Sequence, residues 1–256
     1  MFAGIQQVPH EVRRDFRKQT ARLNVRQMLL ACGIVYAVLY PVVNDAIAAS
    51  LYVGYSRMSQ AVSELSAIGA PPRPFLTAVG PLFSLLQIGF GVGMWQSAHG
   101  KRPVRLAGAL MVGHGAISLL WVLAPMSQRE VIAAGGATSA DTVHLILAAG
   151  TGLFVAAYVA ILAIGFGWRF RVYSVLTLAT ALGFGRLSAQ VDRLEAGDPT
   201  PYMGLLERIG IGAWLLWMAV ASVVLLRRNA AHHVAVLHTS RSAPKRRSPG
   251  AFPPAE

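Results

Sequence analysis

Three side chains of this sequence have the types and spacings of a metal-binding or catalytic set. In "DTVH" Asp141 and His144 lie three residues apart, so a helix presents both on one face. In "HGAIS" His114 and Ser118 lie four apart and share a face in the same way. His114, Asp141 and His144 together are a donor set for zinc, whose bound water would be the nucleophile of a metal hydrolase. The two histidines also suit axial ligation of haem, although they sit at different depths in their runs. A plainer alternative is a structural hydrogen bond between His144 and Asp141. Other polar groups recur in the chain, among them Asp45, Ser59, Ser63, Glu64, Glu207 and Arg208. Mixed charge and hydroxyls of this kind fit a pocket for a small solute or a lipid headgroup. Nucleophile elbows and phosphate-binding glycine loops are absent, and the carboxylates lie in separate elements.

The elements that must position these groups follow from composition. Of 256 residues, 54% are hydrophobic and 13% charged, where a soluble domain carries about 25% charged residues. Apolar runs recur at 27–49, 75–98, 104–124, 141–166, 172–189 and 203–226. Each is long enough to cross a membrane, which takes about 17 residues at the least. The runs are continuous rather than alternating, which excludes a β-barrel. The expected fold is all-α: a polytopic bundle of six transmembrane helices, with the lipid bilayer as its first partner.

A net charge of +12 raises nucleic acid as a partner, but the distribution argues against it. Most of the Lys and Arg flank alternate ends of the apolar runs or fall in the two tails, a pattern set by membrane topology. The positive-inside rule puts both termini in the cytoplasm and requires an even number of spans. Residues 1–26 then form a basic cytoplasmic segment that is compatible with a surface helix. Residues 27–228 form the membrane domain, and 229–256 a basic, Pro- and Ser-rich disordered tail. His232, His233 and His238 fall in that tail with no acid or cysteine beside them. The lone Cys32 permits no internal disulfide. A signal-peptidase site at "DAIAAS" is set aside, because the apolar run before it is too long.

With this topology Asp45, Arg129, Glu130, Asp141, His144, Glu207 and Arg208 gather on the outer side, and His114 lies deepest. The first outer loop contains "YSRMSQAVSELSAIGAPPRP". Its residues 56–66 read as a short amphipathic helix, with Met58, Val62 and Leu65 opposite Ser56, Ser59, Gln60 and Ser63. That helix would form one wall of the polar pocket. Glycines at "IGFGVGMW", at Gly150 and Gly152, and at "GLLERIGIGAW" are expected to let helices approach closely.

The pieces "YSRMSQAVSELSAIGAPPRPFL", "APM" with "DTVHLILA", and "GLLERIGIGAWLLWMAV" resemble the domain-of-unknown-function 998 family of bacterial and archaeal six-span membrane proteins. The resemblance covers about residues 27–228 and implies a six-helix fold in the cytoplasmic (inner) membrane. It implies no activity, and no catalytic residue carries over. Three functional readings follow from the residues themselves. Binding or transport of a solute or lipid headgroup in an outward-facing pocket is favoured over an intramembrane metal hydrolase acting on a lipid. The third is a structural subunit of a larger assembly, for which the sequence names no protein partner.

Overall fold

The computed structural model describes the chain from residue 10 to residue 242, and side-chain surroundings from 25 to 232. Six of its helices are long and apolar enough to cross a membrane: Val25–Ala48, Arg73–Gln96, Arg102–Leu123, Ser139–Ile164, Trp168–Glu195 and Met203–His232. The regular elements are α1 (His10–Pro41), α2 (Arg73–Gln96), α3 (Arg102–Ser118), the one-turn α4 (Arg129–Ala133), α5 (Ser139–Ile164), α6 (Trp168–Ser188), the one-turn α7 (Val191–Glu195) and α8 (Met203–Ser242). No strand occurs among the described residues.

Local chemistry sets where these helices start and stop. Pro74 and Pro103 stand in the first turns of α2 and α3, where a missing N–H costs nothing. Asp141 folds back on the Thr138 N–H to start α5 as a capping box. Pro41 has no N–H to return along α1, and beyond it the ladder widens into a seven-residue π-helix, Val42–Ala48. A short 3-10 turn, Leu119–Leu123, carries the third span past the end of α3.

The spans pack in chain order. Each contacts the next, α1 with α2, α2 with α3, α3 with α5, α5 with α6 and α6 with α8, and α8 returns to α1 to close the ring. The interior is filled by Trp217, Tyr158, Phe90, Met94, Met111 and Met218, all fully buried. Apolar side chains such as Leu153, Val175 and Leu216 cover the outside, as a lipid-facing surface requires. Where α2 crosses α3 the helices touch through glycine: a Cβ on Gly91 would lie 2.8 Å from the Gly108 carbonyl, and one on Gly108 2.7 Å from the Gly91 carbonyl.

Three expectations change. Residues 56–66 are not one helix: the chain turns until Gln60, and only Val62–Ser66 forms a 3-10 turn. Side chains there take over the backbone's partners. The Ser56 N–H donates to Gln60 Oε1, and Glu64 Oε1 accepts the Ala61 N–H. Val62 and Leu65 still face inward, but Met58 does not. Gly150 and Gly152 have open space where a Cβ would stand, so span four is not closely packed through them. At the chain ends, α1 begins at His10 and is continuous with the first span, rather than lying apart on the surface. The last helix runs to Ser242, well into the segment expected to be disordered, because "AAHHVAVLH" contains no helix breaker. Residues 243–256 lie outside the described residues.

Candidate functional site

The polar residues concentrate at the end of the bundle opposite the termini, where the loops after spans one, three and five meet. Two ion pairs organise it. Glu64, 3% exposed at its side chain, accepts Arg129 Nη2 at 2.7 Å on Oε1 and Arg129 Nε at 2.8 Å on Oε2. Gln60 Nε2 donates to the same carboxylate at 3.0 Å. The remaining Arg129 contacts reach the Ser59 carbonyl at 3.0 Å and the buried Thr200 hydroxyl at 3.3 Å. One guanidinium therefore joins the loops after spans one, three and five. The Glu64 hydrogen bonds hold the Arg129 pKa above its ordinary value, against the opposing effect of burial.

The second pair is Asp45 with Arg208, 2.6 Å between Oδ1 and Nε. The π-helix presents Asp45, and the first turns of α8 present Arg208. Every nitrogen of Arg208 is engaged: Nη1 donates to the carbonyls of Arg57, Gln60 and Gly204, and Nη2 to the Tyr55 hydroxyl at 2.8 Å. The Tyr55 hydroxyl in turn donates to the Ala61 carbonyl at 2.8 Å. Burial pushes Tyr55 up to about 12, with Arg208 opposing. Arg57 folds back onto the Asp45 backbone carbonyl through Nε at 3.0 Å. Glu207 accepts the Val62 N–H at 2.5 Å on Oε2. The first loop rests directly on α8 because Gly204 has no side chain; a Cβ there would run into the carbonyls of Gln60 and Arg57.

The structure thus brings Asp45, Glu64, Glu207 and Arg208 together and leaves the other expected site residues elsewhere. Ser59 belongs to the network through its carbonyl, not its hydroxyl. Ser63 contributes only a carbonyl, to the Ser66 hydroxyl. Asp141 is taken up by the N–H and hydroxyl groups of Ser127 and Thr138, the second of these pairs at 2.8 and 3.0 Å. The His144 Nδ1 lies 2.9 Å from the Ala124 carbonyl, with the Trp121 ring edge-on, so His144 is not hydrogen-bonded to Asp141. His114 is buried in the core, its Nδ1 2.6 Å from Gln87 Nε2, and it stacks on Phe154. The Ser118 hydroxyl returns to the His114 carbonyl at 2.9 Å, a bond within one helix.

His114 and His144 therefore take their partners apart from the segment that carries Ser59 and Ser63. Among the described residues no group of three or more His, Cys, Asp or Glu side chains is placed to hold a metal ion. Spacing within single helices was satisfied, but the partners lie elsewhere: Asp141 and His144 turn to the segment before α5, and His114 to Gln87 of α2. Residues that the sequence reading left out of the site are Tyr55, Gln60, Arg129 and Thr200, and Gln87 beside His114. Two of them gave a signal in advance: Arg129 as a rare cation on the acidic side, and Gln60 on the polar face of the first outer loop.

No curated protein and no solved structure matches the chain. A family model described as "Protein of unknown function (DUF998)" matches residues 33–224, which contain the π-helix, both ion pairs and all six spans in large part. Membership of that family is consistent with six apolar helices and carries no assigned activity; the chain belongs to the DUF998 family of multi-pass membrane proteins.

Proposed function

We propose that this protein binds, and presents or carries across the membrane, a small molecule or lipid headgroup bearing an ammonium or similar hydrogen-bond-donating cation. The site is the end of the bundle opposite the termini, facing outward from a bacterial cytoplasmic membrane. One observation carries the reading. Asp45 Oδ2 and Glu207 Oε1 have no hydrogen-bond partner among the described residues, whereas all three nitrogens of Arg208 between them are engaged. Unused carboxylate acceptors beside a guanidinium whose three nitrogens are already engaged suit a donor cation rather than an anion. The π-helix supports the same reading, since one-turn π geometry inside a helix recurs at functional sites and here aims Asp45 at α8.

The test is native mass spectrometry of the detergent-purified full chain, with phosphatidylethanolamine, phosphatidylglycerol and free ethanolamine as probes. The wild type is expected to retain the amine-bearing probes about tenfold better than phosphatidylglycerol, a difference worth about 1.4 kcal/mol. Asp45→Asn and Glu207→Gln are expected to remove that preference. Equal retention of amine-bearing and amine-free lipids by the wild type overturns the reading.

A further inference from the structure

The opposite end of the molecule, where the chain enters and leaves the membrane, carries a second built cluster that the network above does not use. Asn229, 3% exposed, is its centre. Its Nδ2 donates to Ser97 Oγ at 2.9 Å and to the Leu225 carbonyl at 3.0 Å, so the amide cannot turn over. Its Oδ1 therefore faces His99 Nε2 at 2.9 Å and Arg26 Nη1 at 3.4 Å. This fixes the proton of a neutral His99 on Nε2 and leaves Nδ1 bare. The His232 ring meets the His99 ring edge-on, 4.2 Å between centroids. Arg228 lies over Phe166 at 4.6 Å.

Two details resist a purely structural account. Arg26 Nε is buried without any hydrogen-bond partner, a costly state for a charged donor. His99 holds a positive φ of 42°, a backbone conformation that a non-glycine residue adopts at some cost and that recurs at functional sites. The groups facing His99 are Arg26 from α1 and Arg228 and His232 from α8, all cationic or able to become so. Burial and these neighbours depress the His99 pKa, against the opposing Asn229 bond. Among the described side chains no carboxylate lies at this end; Asp45, Glu64, Glu130, Asp141, the acids of residues 192–198, and Glu207 are all at the other.

We infer that Arg26, His99 and His232, with Arg228 beside them, form a binding site for a phosphate-bearing anion at the level of the lipid headgroups. A guanidinium donates in a fork to phosphate oxygens, and a protonated His99 adds Nδ1–H from the second side. The anion cancels the mutual repulsion of the cations and gives the orphaned Arg26 Nε an acceptor. Its source is a phospholipid headgroup or free phosphate, which the structure treats alike. Binding takes up a proton on imidazole, so affinity rises as pH falls through the histidine range. The inference is independent of the amine site at the other end.

The experiment uses the full chain in detergent or nanodiscs, read by thermal shift and by native mass spectrometry. The probes are inorganic phosphate, phosphatidic acid, and an anionic sulfolipid that lacks phosphate. Phosphate or phosphatidic acid is expected to bind about tenfold more tightly near pH 6 than near pH 8. Arg26→Gln and His99→Ala should each lose about tenfold, while Arg26→Lys loses less and exposed Arg227→Gln on α8 loses nothing. A response to inorganic phosphate alone assigns a free anion, and a response to phosphatidic acid alone assigns a lipid; either supports the site. Equal binding of the sulfolipid, an equal loss in Arg227→Gln, or no response to either phosphate probe overturns it. Should Arg26→Gln fold poorly, protection of His232 from diethyl pyrocarbonate by phosphate in the wild type decides instead, and its absence counts against the site.

Discussion

Glu64 shows what one carboxylate does when it is drawn almost wholly out of water. Both of its oxygens are occupied, and Arg129 supplies two of the four donors. Removing one partner of a buried pair costs more than the pair itself contributes, because a desolvated charge is left behind. Arg129→Met is therefore expected to destabilise the protein by about 3 kcal/mol. Combining it with Glu64→Gln should recover most of that loss, as measured by denaturant unfolding in micelles. Equal losses in the single and double variants would show that the arginine acts through packing alone. Glu64 was legible in the sequence as a lone acid in a polar insert between apolar runs. Its partner was not, because the two lie 65 positions apart and nothing in either loop's spacing encodes the other. The same holds for Asp45 and Arg208, 163 positions apart. The histidines misled for the converse reason. A shared helical face is a local property, whereas the nearest acceptor for His144 is a carbonyl at the end of the preceding span.

At the scale of elements, long apolar helices were the most legible feature, since hydropathy and length act over every residue of a span. The positions at which helices touch were half legible. Glycine-rich "IGFGVGMW" does sit in a contact, with Gly91 against α3 and Gly93 against α1, yet Gly150 and Gly152 meet nothing. A glycine in the sequence says that close approach is allowed, and only the neighbouring helix decides whether it is used. Gly91→Ala or Gly108→Ala is expected to force α2 from α3 and cost about 1–3 kcal/mol, read as a lowered thermal midpoint. Gly150→Ala serves as the control and should change nothing, or stabilise slightly through helix propensity. The π-helix was not legible at all. Pro41 announces an interruption, but a kink, a break and a widened turn share that sequence signal.

The whole molecule is a closed ring in which neighbours in sequence are neighbours in space. Its ion pairs among the described residues gather at one end, while the core holds isolated contacts such as Gln87 with His114 and Trp217 with Ser174. The positive-inside reading assigns the terminal end to the cytoplasm. In a Cys32→Ser background, an impermeant thiol reagent is expected to label Asp198→Cys in right-side-out vesicles and Arg102→Cys only in inverted ones. The reverse pattern would turn the molecule over and move the amine site to the inside.

The uneven charge of the two ends of the ring has an electrical consequence. In an energised membrane, negative within, an elementary charge that traverses the whole field is worth about 2.3 kcal/mol for every 100 mV. A molecule with its described carboxylates at one pole, where they outnumber the bases, and only bases among the described charged side chains at the other is a dipole lying parallel to that field. The voltage itself then opposes inversion, tightens the grip of each pole on its own leaflet, and relaxes both when an uncoupler discharges the membrane.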